Sequence, residues 1–83
     1  MKLNDNIILR DMQGEAVLLN LETGDYYSLN HVGNEILKCI GENLSIDEIS
    51  QRIFDIYDID IETAKSDTVA LIEDLIENNI LER

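Results

Sequence analysis

Apolar residues change their spacing part-way along the chain. Up to Leu29 they come in short runs, Ile7-Ile8-Leu9 and Ala16-Val17-Leu18-Leu19, separated by Gln13-Gly14-Glu15, where the glycine can supply a positive φ. A second break, Glu22-Thr23-Gly24, has the length and glycine placement of a three-residue hairpin loop, and Asp25 to Leu29 follows it as a third strand. The pattern predicts an up-down-up antiparallel meander. After Asn30 the spacing becomes three and four, the period of a helix. Asn30 is a good N-cap for a first helix through Val32, Ile36, Leu37 and Ile40, with Gly41 suited to the position just past its end. Ser45 and Glu48 form a capping box ahead of Ile46, Ile49, Ile53 and Ile56, the second helix. Asp60 caps a third helix, whose inner stripe is Ala64, Leu71, Ile72, Leu75 and Ile76 and which Asn78-Asn79 stops. Ile80-Leu81 is left as a short tail that packs back. The predicted class is α+β, a three-stranded antiparallel meander followed by three helices in a winged helix-turn-helix-like order.

In such a meander the middle strand is paired on both sides, and the first and third are edges. Arg10 and Asp11 guard the first edge with charge. The third strand has no proline or lysine and only Asp25 at its start, and it runs straight into the Asn30 cap, so little chain remains to cover it. An uncovered edge is a place for another peptide to pair. Side chains alternate along a strand, so Tyr27 is expected to share Leu29's face and the core, leaving Tyr26 the more exposed of the two. On the third helix, at about 100° per residue, Leu71, Leu75, Ile72, Ile76 and Val69 cover an arc of roughly 160°, wider than the roughly 100° a core stripe needs. Asp67, Asp74 and Asn78 form a polar rail on one margin of that arc.

Size and charge then narrow the partners. Eighty-three residues predict one domain over residues 1–83, with a single small core and no deep substrate pocket. Eighteen acidic residues against six basic give a net charge of −12, and the six cations are scattered singly. Phosphate backbones and anionic membrane surfaces need clustered Lys and Arg, so neither nucleic acid nor membrane is expected as a partner. With no basic region ahead of a long apolar stretch, and no run of about 18 apolar residues, the reading is cytoplasmic. Cys39, alone among Ile36, Leu37 and Ile40, reads as a buried apolar thiol that can form no intramolecular disulfide.

Catalytic chemistry has no constellation here. The only histidine, His31, falls in the first turn of a helix three residues after Ser28, and the two read as a solvated residue and a strand residue. One Cys and one His cannot make a tetrahedral zinc site. The run Asp55, Asp58, Asp60, Glu62 is interleaved with Ile56, Tyr57, Ile59 and Ile61, which a calcium loop does not allow. No phosphate-cradling glycine loop exists. The expectation is a non-catalytic protein without metal or cofactor.

The string Val17-Leu18-Leu19-Asn20-Leu21-Glu22-Thr23-Gly24-Asp25-Tyr26-Tyr27-Ser28-Leu29-Asn30, with Val32-Gly33, the Ser45-Ile46-Asp47-Glu48-Ile49 cap and Asp67 ahead of Leu71-Ile72-Glu73-Asp74-Leu75, resembles the PqqD-like family. That family includes the pyrroloquinoline-quinone biosynthesis D protein and the recognition elements of ribosomally made, modified peptides, among them the stand-alone proteins of lasso peptide clusters. The hairpin is its most specific part. The resemblance implies that a precursor's leader adds as a strand to the third strand and lies in the groove beside the third helix, while a separate enzyme, a leader protease or cyclase, does the chemistry. Carried over by position, it implies Asp25, Tyr26, Tyr27, Ser28 and Leu29 for strand pairing and Asp67, Leu71, Asp74 and Leu75 for the groove wall, the choice within the helix following from the arc above. The acidic rail would favour a leader bearing Lys or Arg. A monomer or weak homodimer is expected. Two rival readings stay open: a quinone-type peptide chaperone working with a radical enzyme, and a DNA-binding winged helix.

Overall fold

The computed structural model describes residues 1–83. The chain begins with a two-residue strand, β1 (Lys2–Leu3), and then lays down β2 (Ile7–Met12), β3 (Glu15–Asn20) and β4 (Tyr26–Leu29). The last three pair antiparallel in the order β2-β3-β4, the meander expected from the sequence. Three helices follow, α1 (His31–Gly41), α2 (Ile46–Tyr57) and α3 (Ile61–Glu77), and the chain ends in β5 (Leu81–Glu82).

The first hairpin turns on two residues, Gln13 (φ 59°) and Gly14 (φ 90°), between the paired Met12 and Glu15. Two successive left-handed residues match the twist of the strands they join. The turn is tied to α1. Asp11 accepts from the Gly14 N–H at 3.1 Å, and the buried Asn34 amide donates to Asp11 at 3.2 Å and to the Gly14 carbonyl at 2.9 Å. The Asn34 bond, then the Gly14 N–H, holds the Asp11 carboxyl below its usual value.

The second loop is longer than the expected three residues. Asn20 N–H donates to the Asp25 carbonyl at 2.9 Å, and the Asn20 carbonyl accepts from Gly24 at 2.7 Å, so the loop runs from Leu21 to Gly24. Its cause is the Asn20 side chain, which accepts from the N–H groups of Glu22 and Thr23 at 2.9 and 3.2 Å and folds the chain back early. Asp25 N–H turns to Thr23 Oγ1 at 3.2 Å, and the strand starts at Tyr26 and not at Asp25.

All three predicted N-caps form. Asn30 accepts from Gly33 N–H at 2.9 Å, Ser45 and Glu48 exchange bonds at 3.1 and 2.9 Å, and Asp60 accepts from Glu62 and Thr63 at 3.2 and 3.4 Å. The C-terminus of α1 differs from expectation: Gly41 is helical, and the left-handed residue is Asn43 (φ 62°), with Leu44 N–H reaching Cys39 O at 3.1 Å and Asn43 N–H reaching Ile40 O at 3.0 Å. The same Schellman arrangement ends α3, with Asn79 (φ 59°) left-handed and Ile80 N–H bonded to Leu75 O at 2.8 Å. That turn buries Ile80 and Leu81, and the tail becomes a strand: β5 pairs antiparallel with β1, Leu81 opposite Leu3.

The core lies between the inner sheet face, Ala16, Leu18 and Leu29, and the helices, with Ile36, Ile53 and Leu75 among its members. On α3 the buried residues are Ala64, Thr68, Ile72 and Leu75. Thr68 donates to the Ala64 carbonyl at 2.7 Å, which satisfies its hydroxyl and lets it sit in the apolar stripe.

An Ala at position 14 would place its Cβ 2.6 Å from the His31 ring, on a backbone at φ +90°. Gly14→Ala is expected to lower stability in urea unfolding by about 1–3 kcal/mol. Adding His31→Ala is expected to recover only the steric part of that loss, because the φ cost remains.

Candidate peptide-binding groove

Because β4 ends the sheet, one side of its backbone has no partner strand. The register says which groups are free. Antiparallel pairs alternate between those that exchange hydrogen bonds across the ladder and those that do not. The Asn20 to Asp25 bond fixes the phase on β4, so Tyr27 opposite Leu18 and Leu29 opposite Ala16 bond inward to β3. On the other side of β3, the Leu21 N–H bonded to Asn6 O at 2.9 Å turns Leu19 and Val17 toward β2, which agrees. The N–H and C=O groups of Tyr26 and Ser28 therefore point out of the sheet.

Beside this edge runs a cleft of about 390 Å³, walled on one side by Leu29 and on the other by Asp67, Ala70 and Leu71, with Val32 and Ile36 of α1 also lining it. A second cavity of about 250 Å³, lined by Asn20, Asp25, Glu77 and Asn78 among others, lies toward the loop end of β4. Tyr27 borders both. Its ring is half-buried and its hydroxyl donates to Asp74 of α3, so the strand and the helix are joined by side chains at that point. Burial pushes the Tyr27 phenol up to about 12, and the bond to the Asp74 carboxylate and its charge add to the effect.

The residues named from the sequence are placed unequally. Tyr26, 72% exposed, projects from the outer face, while Tyr27 and Leu29 face the core, the alternation expected for this strand. Asp25 lies between the loop and β4 with its carbonyl already bonded to Asn20, so it adds nothing to the free edge. Asp67 and Leu71 line the cleft. Asp74 is engaged by Tyr27. Leu75 is a correction: at 0% exposure it belongs to the core and offers no groove surface. At about 100° per residue Leu75 falls between Ala64 and Thr68, inside the buried stripe that Ile72 completes, and Leu71 falls just outside it on the margin beside β4. Val32, Ile36, Ile59 and Ala70 also line the cleft. Val32 and Ile36 were visible only as part of the α1 stripe, and nothing local in the sequence sends Ile59 or Ala70 there.

No group of three or more His, Cys, Asp or Glu could hold a metal ion, and no helix is long and apolar enough to cross a membrane. Cys39 is buried, and burial pushes its thiol up, away from the reactive thiolate. On α3 the only cation, Lys65, is 3.2 Å from Asp47, which leaves the helix no basic face for a phosphate backbone.

Fold and cleft together define a small sheet-and-helix module with one open strand edge. The chain belongs to the PqqD family: the family described as "Coenzyme PQQ synthesis protein D (PqqD)" matches residues 15–81, from β3 through the start of β5. Among solved structures, one described as TbiB1 in complex with the TbiA(beta) leader peptide is 32% identical, superposes with a TM-score of 0.88, and covers 99% of this chain and 95% of its own. Another, described as lasso peptide synthetase B1 complexed with the leader peptide, has a TM-score of 0.90 over 99% of this chain and 96% of its own; at 24% identity this likeness is one of fold. No curated protein matches the sequence.

The Tyr27 phenol gives a direct readout of the joined strand and helix. A phenol of ordinary value 10.0 raised to about 12 keeps its proton where the unfolded chain has lost it, so stability is expected to fall as pH rises from about 10 to about 12 and to level off above that window. Phenolate absorbance should contain a component near 12 that disappears in Tyr27→Phe and moves down in Asp74→Asn.

Proposed function

We propose that this protein binds the leader segment of a ribosomally made precursor peptide as an added strand on β4, in the cleft beside α3, and presents it to a separate processing enzyme such as a leader protease or cyclase. The observation that carries the reading is the unpaired edge at Tyr26 and Ser28 opening onto an apolar cleft. The 32% identical neighbour described with a bound leader peptide supports it. Main-chain hydrogen bonds along the edge set the register, and leader side chains on alternate positions enter the cleft and supply selectivity. The protein acts as a non-catalytic, cytoplasmic adaptor, as a monomer or weak homodimer. A pyrroloquinoline-quinone-type chaperone would use the same edge, and the family description favours keeping it as the second reading; a radical-enzyme gene beside this one would select it, and protease-like and amidotransferase-like genes beside a short peptide gene would select the first.

Calorimetric titration with the TbiA(beta) leader peptide tests the edge and the cleft separately. Leu71→Glu puts a charge into the apolar wall and should abolish measurable binding while the helical far-UV spectrum is kept; unchanged affinity would remove α3 from the site. Ser28→Pro deletes an N–H that points away from β3, so the sheet survives. It should weaken binding roughly two- to tenfold, the worth of one hydrogen bond.

A further inference from the structure

We infer that Tyr27 and Asp74 form a crossbar under the docked strand, so that the guest must carry a small side chain opposite Tyr27 and its large apolar anchor two residues away, opposite Leu29. This deepens the reading of β4 as the docking strand and rests on it.

The crossbar is set by three placements. Tyr27 faces the helices, borders both cavities and gives its hydroxyl to Asp74. Asp74 lies seven residues beyond Asp67 on α3, about 10 Å along the axis at about 1.5 Å per residue. The cleft is therefore open at Asp67 and Leu71 and bridged at Asp74. A strand added to β4 points every second side chain to the same face as Tyr27 and Leu29, at steps of about 6.8 Å. The guest residue opposite Leu29 meets the open part of the cleft, with Val32, Ile36 and Leu71 around it. The next inward residue meets the Tyr27 ring, and a large side chain there must push the ring aside and break the bond to Asp74. A bulky group forced into filled space is strongly penalised, whereas a glycine or alanine is accommodated. The feature thus selects by steric exclusion at one guest position and by apolar contact at its neighbour on the same face.

The test is a tryptophan scan of the TbiA(beta) leader peptide, with affinities measured against wild type, Tyr27→Ala and Asp74→Ala. The expected result is one leader position where Trp weakens wild-type binding at least about tenfold, and where Tyr27→Ala restores the Trp peptide to within about threefold of the unmodified peptide. Asp74→Ala leaves the ring in place but frees it to swing, so it should relieve part of the same penalty; it serves alone if Tyr27→Ala does not fold. Alanine two residues from that position, on the Leu29 side, should be the costliest alanine substitution in the leader. If unmodified leader binds and neither variant relieves any Trp penalty, the crossbar does not meet the guest and the inference fails while strand addition stands. If unmodified leader does not bind wild type at all, strand addition fails and takes the crossbar with it.

Discussion

Backbone hydrogen bonding is a two-sided requirement on every strand, and in this sheet β4 meets it on one side only. β3 sends alternate residues to β2 and to β4, which uses its N–H and C=O groups in full. On β4 the same alternation leaves Tyr26 and Ser28 without a strand partner. The protein does not hide this edge with a bulge, a proline or a lysine, the usual means of blunting one. It places α3 near enough to make a cleft and far enough away to leave the backbone free, and under the proposed function that spacing makes the edge a docking site in place of a hazard.

The spacing comes from how α3 is seated. Its buried stripe of Ala64, Thr68, Ile72 and Leu75 faces the core, and its C-terminal turn throws Ile80 and Leu81 back onto β1. The helix is thereby held at both ends of its inner face, and Leu71 comes to the margin beside β4. Tyr27 then ties strand to helix through Asp74. A site of this kind works by shape and hydrogen-bond register. With a net charge of −12 and no basic face on α3, it is suited to a peptide and poorly suited to nucleic acid.

Most of the fold was legible in the sequence because it is written in local chemistry. The caps at Asn30, Ser45 and Asp60, the glycine turn at Gly14 and the alternation of Tyr26 and Tyr27 each follow from a residue and its near neighbours. What was not legible depends on distant partners or on side chains in unexpected roles. The pairing of β5 with β1 joins the two ends of the chain, and two-residue strands carry no period to read. Asn43 ends α1 in place of Gly41 because asparagine also tolerates the left-handed region, so the nearer glycine was the wrong cue. The β3–β4 loop was misjudged by one residue because the Asn20 side chain takes over two turn amides. Within the site, the strand was legible and the helix only in part: an arc of apolar residues does not say which of them the core takes, and Leu75, between Ala64 and Thr68 on the helix surface, is core while Leu71 at the margin reaches the cleft.

Residue-resolved amide hydrogen exchange, with and without the TbiA(beta) leader peptide, tests the unpaired edge most directly. The account predicts that Tyr26 and Ser28 exchange freely in the protein alone and become protected on binding, while Tyr27 and Leu29, already bonded to β3, change little. Binding that leaves Tyr26 and Ser28 unprotected, or that protects only α2, would contradict it.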